Sequence, residues 1–81
     1  MEKRIGVVGI VVEDLENSSK VNNILHSFAS IIVGRMGIPY KEKNISVISL
    51  IVDGTSDNIS AMTGKLGKIE GVNVKSAMTR K

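Results

Sequence analysis

No cysteine occurs among these 81 residues. A disulfide framework, a thiolate nucleophile and a cysteine-held metal are therefore excluded, and nothing in the chain demands an oxidising compartment. Tryptophan is also absent, and there is a single phenylalanine, tyrosine, histidine and proline. Long apolar runs are missing as well. The longest, Ile5 to Val12, falls well short of the roughly 18 residues that a bilayer crossing needs. The start, Met1-Glu2-Lys3-Arg4, lacks the longer cleavable architecture of an export signal. Charge of one sign is not concentrated either. Eleven basic and eight acidic residues leave a formal net charge of +3, with Lys and Arg spread over both ends, Lys41/Lys43 and Lys65/Lys68. That distribution reads as a solvated surface rather than a nucleic-acid patch. The expectation is one cytoplasmic domain over 1–81, away from membranes, and a chain this short buries only about 60% of its unfolded surface when it folds alone.

What is present is β-branched. Ile5, Val7, Val8, Ile10, Val11 and Val12 form a strand without a polar stripe, the pattern of a strand covered on both faces. Glu13 to Ser19 then supplies acids and helix-capping oxygens. Val21, Ile24, Leu25 and Phe28 follow at the spacing that puts them on one face of a first helix. Ile31 to Pro39, with Gly34, Gly37 and a closing proline, predicts an edge strand with a bulge. Tyr40 to Asn44 is a hairpin loop, and Ile45 to Val52 a second strand without a polar stripe. Asp53 to Asp57 reads as a turn with helix caps. Ile59, Met62, Leu66 and Ile69 share one face of a second helix, with Gly71 as its stop. Val72, Val74, Ser76 and Met78 alternate with Asn73, Lys75, Ala77 and Thr79 in a half-buried last strand.

This order, βαββαβ, predicts an α+β ferredoxin-like fold: a four-stranded antiparallel sheet with both helices on one face. The first and third strands in sequence occupy its middle, and these are the two without a polar stripe. Helices cover one sheet face only, so the other would hold Val, Ile and Leu in water. Contiguous patches of that kind are uncommon on monomers. A homodimer or homotetramer built through sheet faces is therefore expected.

The supply of catalytic groups is thin. His26, the lone histidine, sits at the border of the first helix's apolar face. Asp14 with Glu16, and Asp53 with Asp57, suit helix capping better than cation binding. Gly64-Lys65-Leu66-Gly67 has the look of a phosphate loop, but its glycines fall inside a helical pattern rather than before one. Close packing of that helix on the sheet or on a partner is the better reading. Arg35, between Gly34 and Met36, is the candidate for a lone anion contact, with a surface salt bridge as its favoured role. Arg35 and Lys65 are thus the candidate ligand residues. No metal or other cofactor is called for. RNA-recognition domains of this topology stack bases on aromatics of the first and third strands, and neither strand has one. No helix-turn-helix fits, so direct nucleic-acid binding is not expected.

Val7-Val8-Gly9-Ile10-Val11-Val12-Glu13-Asp14, Ile32 to Tyr40, Ser46-Val47-Ile48, Thr63 to Gly67 and Gly71 to Ser76 together resemble the family of iron-only hydrogenase system regulators. The resemblance covers nearly the whole chain. It implies an ACT-like domain, similar to the C-terminal domain of nickel-responsive repressors, that assembles through its sheets. Those repressors hold nickel with a His-x-His pair on the third strand and a cysteine; the matching strand here reads Ser49-Leu50-Ile51, so that site cannot form. The Asp-x-Pro-Gly-like turn of amino-acid-binding ACT domains is replaced by Asp14-Leu15-Glu16-Asn17. Matching the repressor register turns Val47, Ser49 and Ile51 away from the helices, as the oligomer interface, with Ile48, Leu50 and Val52 beneath them.

These readings converge on a non-enzymatic oligomeric regulator, with a small effector at the subunit interface and a separate target protein. Two alternatives stand beside it. A scaffolding protein would have no ligand. An acylphosphatase-like enzyme needs an arginine after the first strand, and Glu13 to Ser19 contains none.

Overall fold

In a computed structural model that describes residues 2–79, the chain forms β1 (Lys3–Val12), α1 (Ser18–Ser27), β2 (Ile32–Tyr40), β3 (Ile45–Thr55), α2 (Ser56–Gly67) and β4 (Val72–Met78). Met1, Arg80 and Lys81, the ends of the predicted domain and the first residue of the start considered above, lie outside the described residues. The strands form one four-stranded sheet in the order β2-β3-β1-β4, and every pairing is antiparallel. The two strands without a polar stripe are the central pair, as the apolar pattern requires.

Strand alternation divides the sheet. Val8, Ile10 and Val12 of β1 and Ile48, Leu50 and Val52 of β3 point to the helix side and are buried. They join Val21 and Leu25 of α1 and Ile59, Met62 and Leu66 of α2 in one core. Both helices therefore lie on the same face, and each presents the spacing that its sequence showed.

The connections are tighter than the sequence suggests. Asp53 to Thr55 is strand rather than turn, because Asp53, Gly54 and Thr55 pair with Ile5, Arg4 and Lys3 and extend the ladder. Asp53 thus caps nothing. Thr55 caps α2 instead: its Oγ1 accepts from the Asn58 N–H at 3.2 Å. Ile69 lies beyond the end of α2, half-buried in the following turn. Tyr40 belongs to β2, and the hairpin closes through a 3₁₀ turn at Lys41–Lys43 with Asn44 left-handed at φ 55°. The bulge expected in β2 falls between Ile32 and Gly34.

A second 3₁₀ turn, Leu15–Asn17, leads into α1. The Asp14 carboxylate caps it, accepting from the Glu16 N–H at 3.1 Å. The Gly71 carbonyl accepts from the N–H of Glu13 at 2.6 Å, clasping this turn to the start of β4. Gly71 holds φ at +75°, and a Cβ there would lie 2.6 Å from that of Asp14. Only glycine satisfies both the dihedral and the approach.

Candidate functional site

The face of the sheet opposite the helices is not covered by any described residue. Its residues fall into transverse rows set by the ladder: Val7 beside Ile51; Gly9 beside Ser49 and Met36; Val11 beside Val47 and Ile38. Ile51 is 49% exposed and Val7 49%, whereas Leu50, their neighbour on β3, is 0%. Ile5, Val33, Met36 and Ile38 are exposed too. The geometry places Val47, Ser49 and Ile51 on this face, with Ile48, Leu50 and Val52 beneath the helices. A concavity of about 220 Å³, lined by Gly34, Met36, Ser49 and Ile51 among others, dimples the surface.

Charge enters this face at Lys3, which pairs with Thr55 at the start of β1, at Asp53, half-buried and opposite Ile5 on the adjacent strand, and at Lys75, which projects from β4 opposite Gly9.

Arg35 faces the other way. It pairs with Leu50 in the ladder, so its side chain rises on the helix side, along the seam between α1 and the edge strand β2. There its Nη2 donates to Asn22 Oδ1 at 3.1 Å. Among the described residues no carboxylate pairs with it, so the salt bridge considered for this residue is not formed. Two hollows flank the guanidinium. One, of about 300 Å³, is lined by Asn22, Leu25, His26, Ala29 and Ile32. The other, of about 290 Å³, runs past Ser18, Val21, Gly37 and Ser46. His26 is exposed. Asn22 and His26 join Arg35 because they lie one helical turn apart on α1, a spacing visible in the sequence.

Lys65 is not brought to Arg35. Its Nζ stands 5.5 Å from the centre of the Phe28 ring, a cation–π distance. Gly64 and Gly67 do not serve close packing on the sheet: a Cβ at either would meet nothing within 4 Å. They border a groove of about 450 Å³ between α2 and β4, together with Ser60, Thr63, Val74 and Ser76.

This architecture defines a small ferredoxin-like domain of ACT type, with one face of its sheet bare. It is similar to the ACT domain from GTP pyrophosphokinase of Chlorobium tepidum, with a TM-score of 0.78 at 19% identity, over 93% of this chain and 99% of that one. It is also similar to CPII, a nitrogen regulatory PII-like protein from Thiomonas intermedia K12 bound to ADP, AMP and bicarbonate. That likeness has a TM-score of 0.53 at 10% identity, over 96% of this chain and 92% of the other. At such identities these likenesses speak for the fold alone. No curated protein matches the chain. The family model TM1266-like, described as "Iron-only hydrogenase system regulator, putative", matches residues 4–76. The chain belongs to that family. The solved structure of uncharacterized protein TM1266 from Thermotoga maritima is 42% identical, with a TM-score of 0.92, over 98% of this chain and 100% of that one.

Proposed function

We propose that the chain is a non-enzymatic regulatory module. Two copies meet through the bare sheet face, a small effector binds, and the readout passes to a separate target protein. The observation that carries this reading is the apolar face itself. Ile5, Val7, Ile51, Val33, Met36 and Ile38 remain exposed on a chain whose core is already closed on the opposite side. Surfaces of this kind mark interaction sites. Val47, Ser49 and Ile51 lie within the proposed contact.

The effector site proposed with it is the α1–β2 seam. Arg35, oriented by Asn22 and paired with no carboxylate among the described residues, is a cation available to hold an anion. Leu25, Ala29 and Ile32 offer an apolar wall beside it. A small carboxylate or phosphate with an apolar body fits that combination. Lys65 does not share in this seam.

The test is thermal melting of the whole chain with acetate, amino acids, inorganic phosphate and nucleotides, repeated on Arg35→Gln. A ligand of the native state raises the melting temperature by mass action, by about 2.7 kcal/mol of stability at a hundred times its Kd. One of these compounds is expected to stabilise the unaltered chain and not Arg35→Gln. Equal response of both proteins to every compound would remove the effector site and leave the scaffolding reading.

A further inference from the structure

The two edges of the sheet are unequal. Edge strands normally carry devices that discourage pairing with another chain. β2 has several: the bulge between Ile32 and Gly34, two glycines, and Pro39, which has no N–H to offer. β4 carries one such device, the charge of Lys75, but has no bulge in its pairing with β1 and no proline, and among the described residues no strand adjoins its outer side.

Bonds at the two ends of the β1–β4 ladder fix its phase. The Gly71 carbonyl accepts from Glu13 N–H, and the Ile5 carbonyl accepts from Thr79 N–H. Antiparallel alternation between those points directs the main chain of Asn73, Lys75 and Ala77 towards β1. The N–H and C=O groups of Val74, Ser76 and Met78 then point outward. Beside that edge, on the helix side, runs the open groove flanked by Ser60, Thr63, Gly64 and Gly67 of α2.

From this edge we infer that β4 pairs with β4 of a second copy of this chain, antiparallel about a two-fold axis at Ser76, giving one continuous sheet. The register follows from side-chain chemistry. An axis at Lys75 would set Lys75 against its own copy, a repelled pair. An axis at Ser76 sets Ser76 against Ser76, Lys75 against Ala77, and the half-buried Val74 against Met78. It also brings the outward N–H and C=O groups together as hydrogen-bonded pairs. The contact is self-complementary, as a two-fold interface must be.

The same arrangement accounts for the glycines of α2. A two-fold axis perpendicular to the sheet keeps the helices of both copies on one side and brings the two α2 helices flank to flank across the seam. The flank that meets the copy is the one bordered by Gly64 and Gly67, where the chain's own atoms leave the space empty. Contact between backbones there needs the absence of side chains. This edge contact is separate from the proposed pairing of sheet faces, and the two together would build a tetramer.

Ser76→Pro tests it. Proline removes an outward N–H and is tolerated on an edge strand when that group faces solvent, so the single chain keeps its fold while losing the edge contact. The mass by light scattering is expected to halve relative to the unaltered protein, with circular dichroism unchanged. Ile51→Glu, made alongside, reports separately on the sheet face. Should Ile51→Glu keep its full mass while Ser76→Pro halves it, the face pairing falls and the edge pairing stands. Hydrogen exchange on the unaltered protein supplies a measurement independent of any variant: Val74, Ser76 and Met78 amides are expected to exchange slowly at high concentration and faster on dilution. A folded Ser76→Pro protein of unchanged mass, or fast exchange of those amides at every concentration, overturns the inference.

Discussion

Adjacent residues of β3 give the sharpest experiment on the bare face. Leu50 is 0% exposed and Ile51 is 49% exposed, so two substitutions one position apart should fail in different ways. Leu50→Ala deletes core volume between sheet and helices, and such changes cost about 2–5 kcal/mol of folding stability. That loss is expected whether or not the protein associates. Ile51→Glu places a carboxylate where half of an isoleucine already meets water, so the single chain should fold with little change.

Its effect on association is large. Fully burying an isoleucine is worth about 1.5–3 kcal/mol, so burying the remaining half contributes roughly 1 kcal/mol. Summed over the exposed apolar residues of two copies, the gross gain is on the order of 10 kcal/mol. Lost rotational and translational freedom opposes it by an estimated ~4–15 kcal/mol, so the balance is fine. An unpaired carboxylate in the contact costs several kcal/mol more, and two-fold symmetry introduces it twice. Dissociation at least about a hundredfold easier is expected, since each 1.4 kcal/mol is a factor of about ten. Sedimentation velocity over a range of concentrations, with circular dichroism to confirm folding, reads both effects. A folded Ile51→Glu protein that associates like the unaltered chain would refute the reasoning.

Three further substitutions test the fold that holds these surfaces. Gly71→Ala forces a side chain into a positive-φ position and against Asp14; a loss of about 1–3 kcal/mol is expected in urea unfolding. Thr55→Ala removes the oxygen that caps α2 and should cost about 0.5–2 kcal/mol, with Thr55→Ser restoring most of it. Met62→Ala, at a side chain with 0% exposure, should lower stability by about 2–5 kcal/mol, seen as a lower midpoint with little change in slope.

Much of this fold was legible because apolar periodicity is a direct consequence of burial. The absence of a polar stripe in Ile5 to Val12 and Ile45 to Val52 placed those strands at the centre of the sheet, and the spacing of Ile59, Met62 and Leu66 placed α2 over it. Glycines and Pro39 marked β2 as a bulged edge. Strand ends were less legible. Asp53, Gly54 and Thr55 have turn chemistry, yet the ladder with Lys3 to Ile5 overrides that local preference. The side of the sheet to which Arg35 belongs depends on register across the bulge, which composition does not encode. Gly64 and Gly67 read as a sign of close packing, but their surroundings within the chain are empty, and sequence alone says nothing about which neighbour a small residue awaits.

The core closes entirely on the helix side of the sheet, within one chain. Folding therefore does not wait on a companion, and a newly made molecule already displays its bare β-layer. Under the face pairing proposed above, encounters through that layer would grow with the number of copies, whereas the interior does not change with it. A regulator made this way would carry a crude gauge of its own abundance, set by dilution before any small molecule arrives.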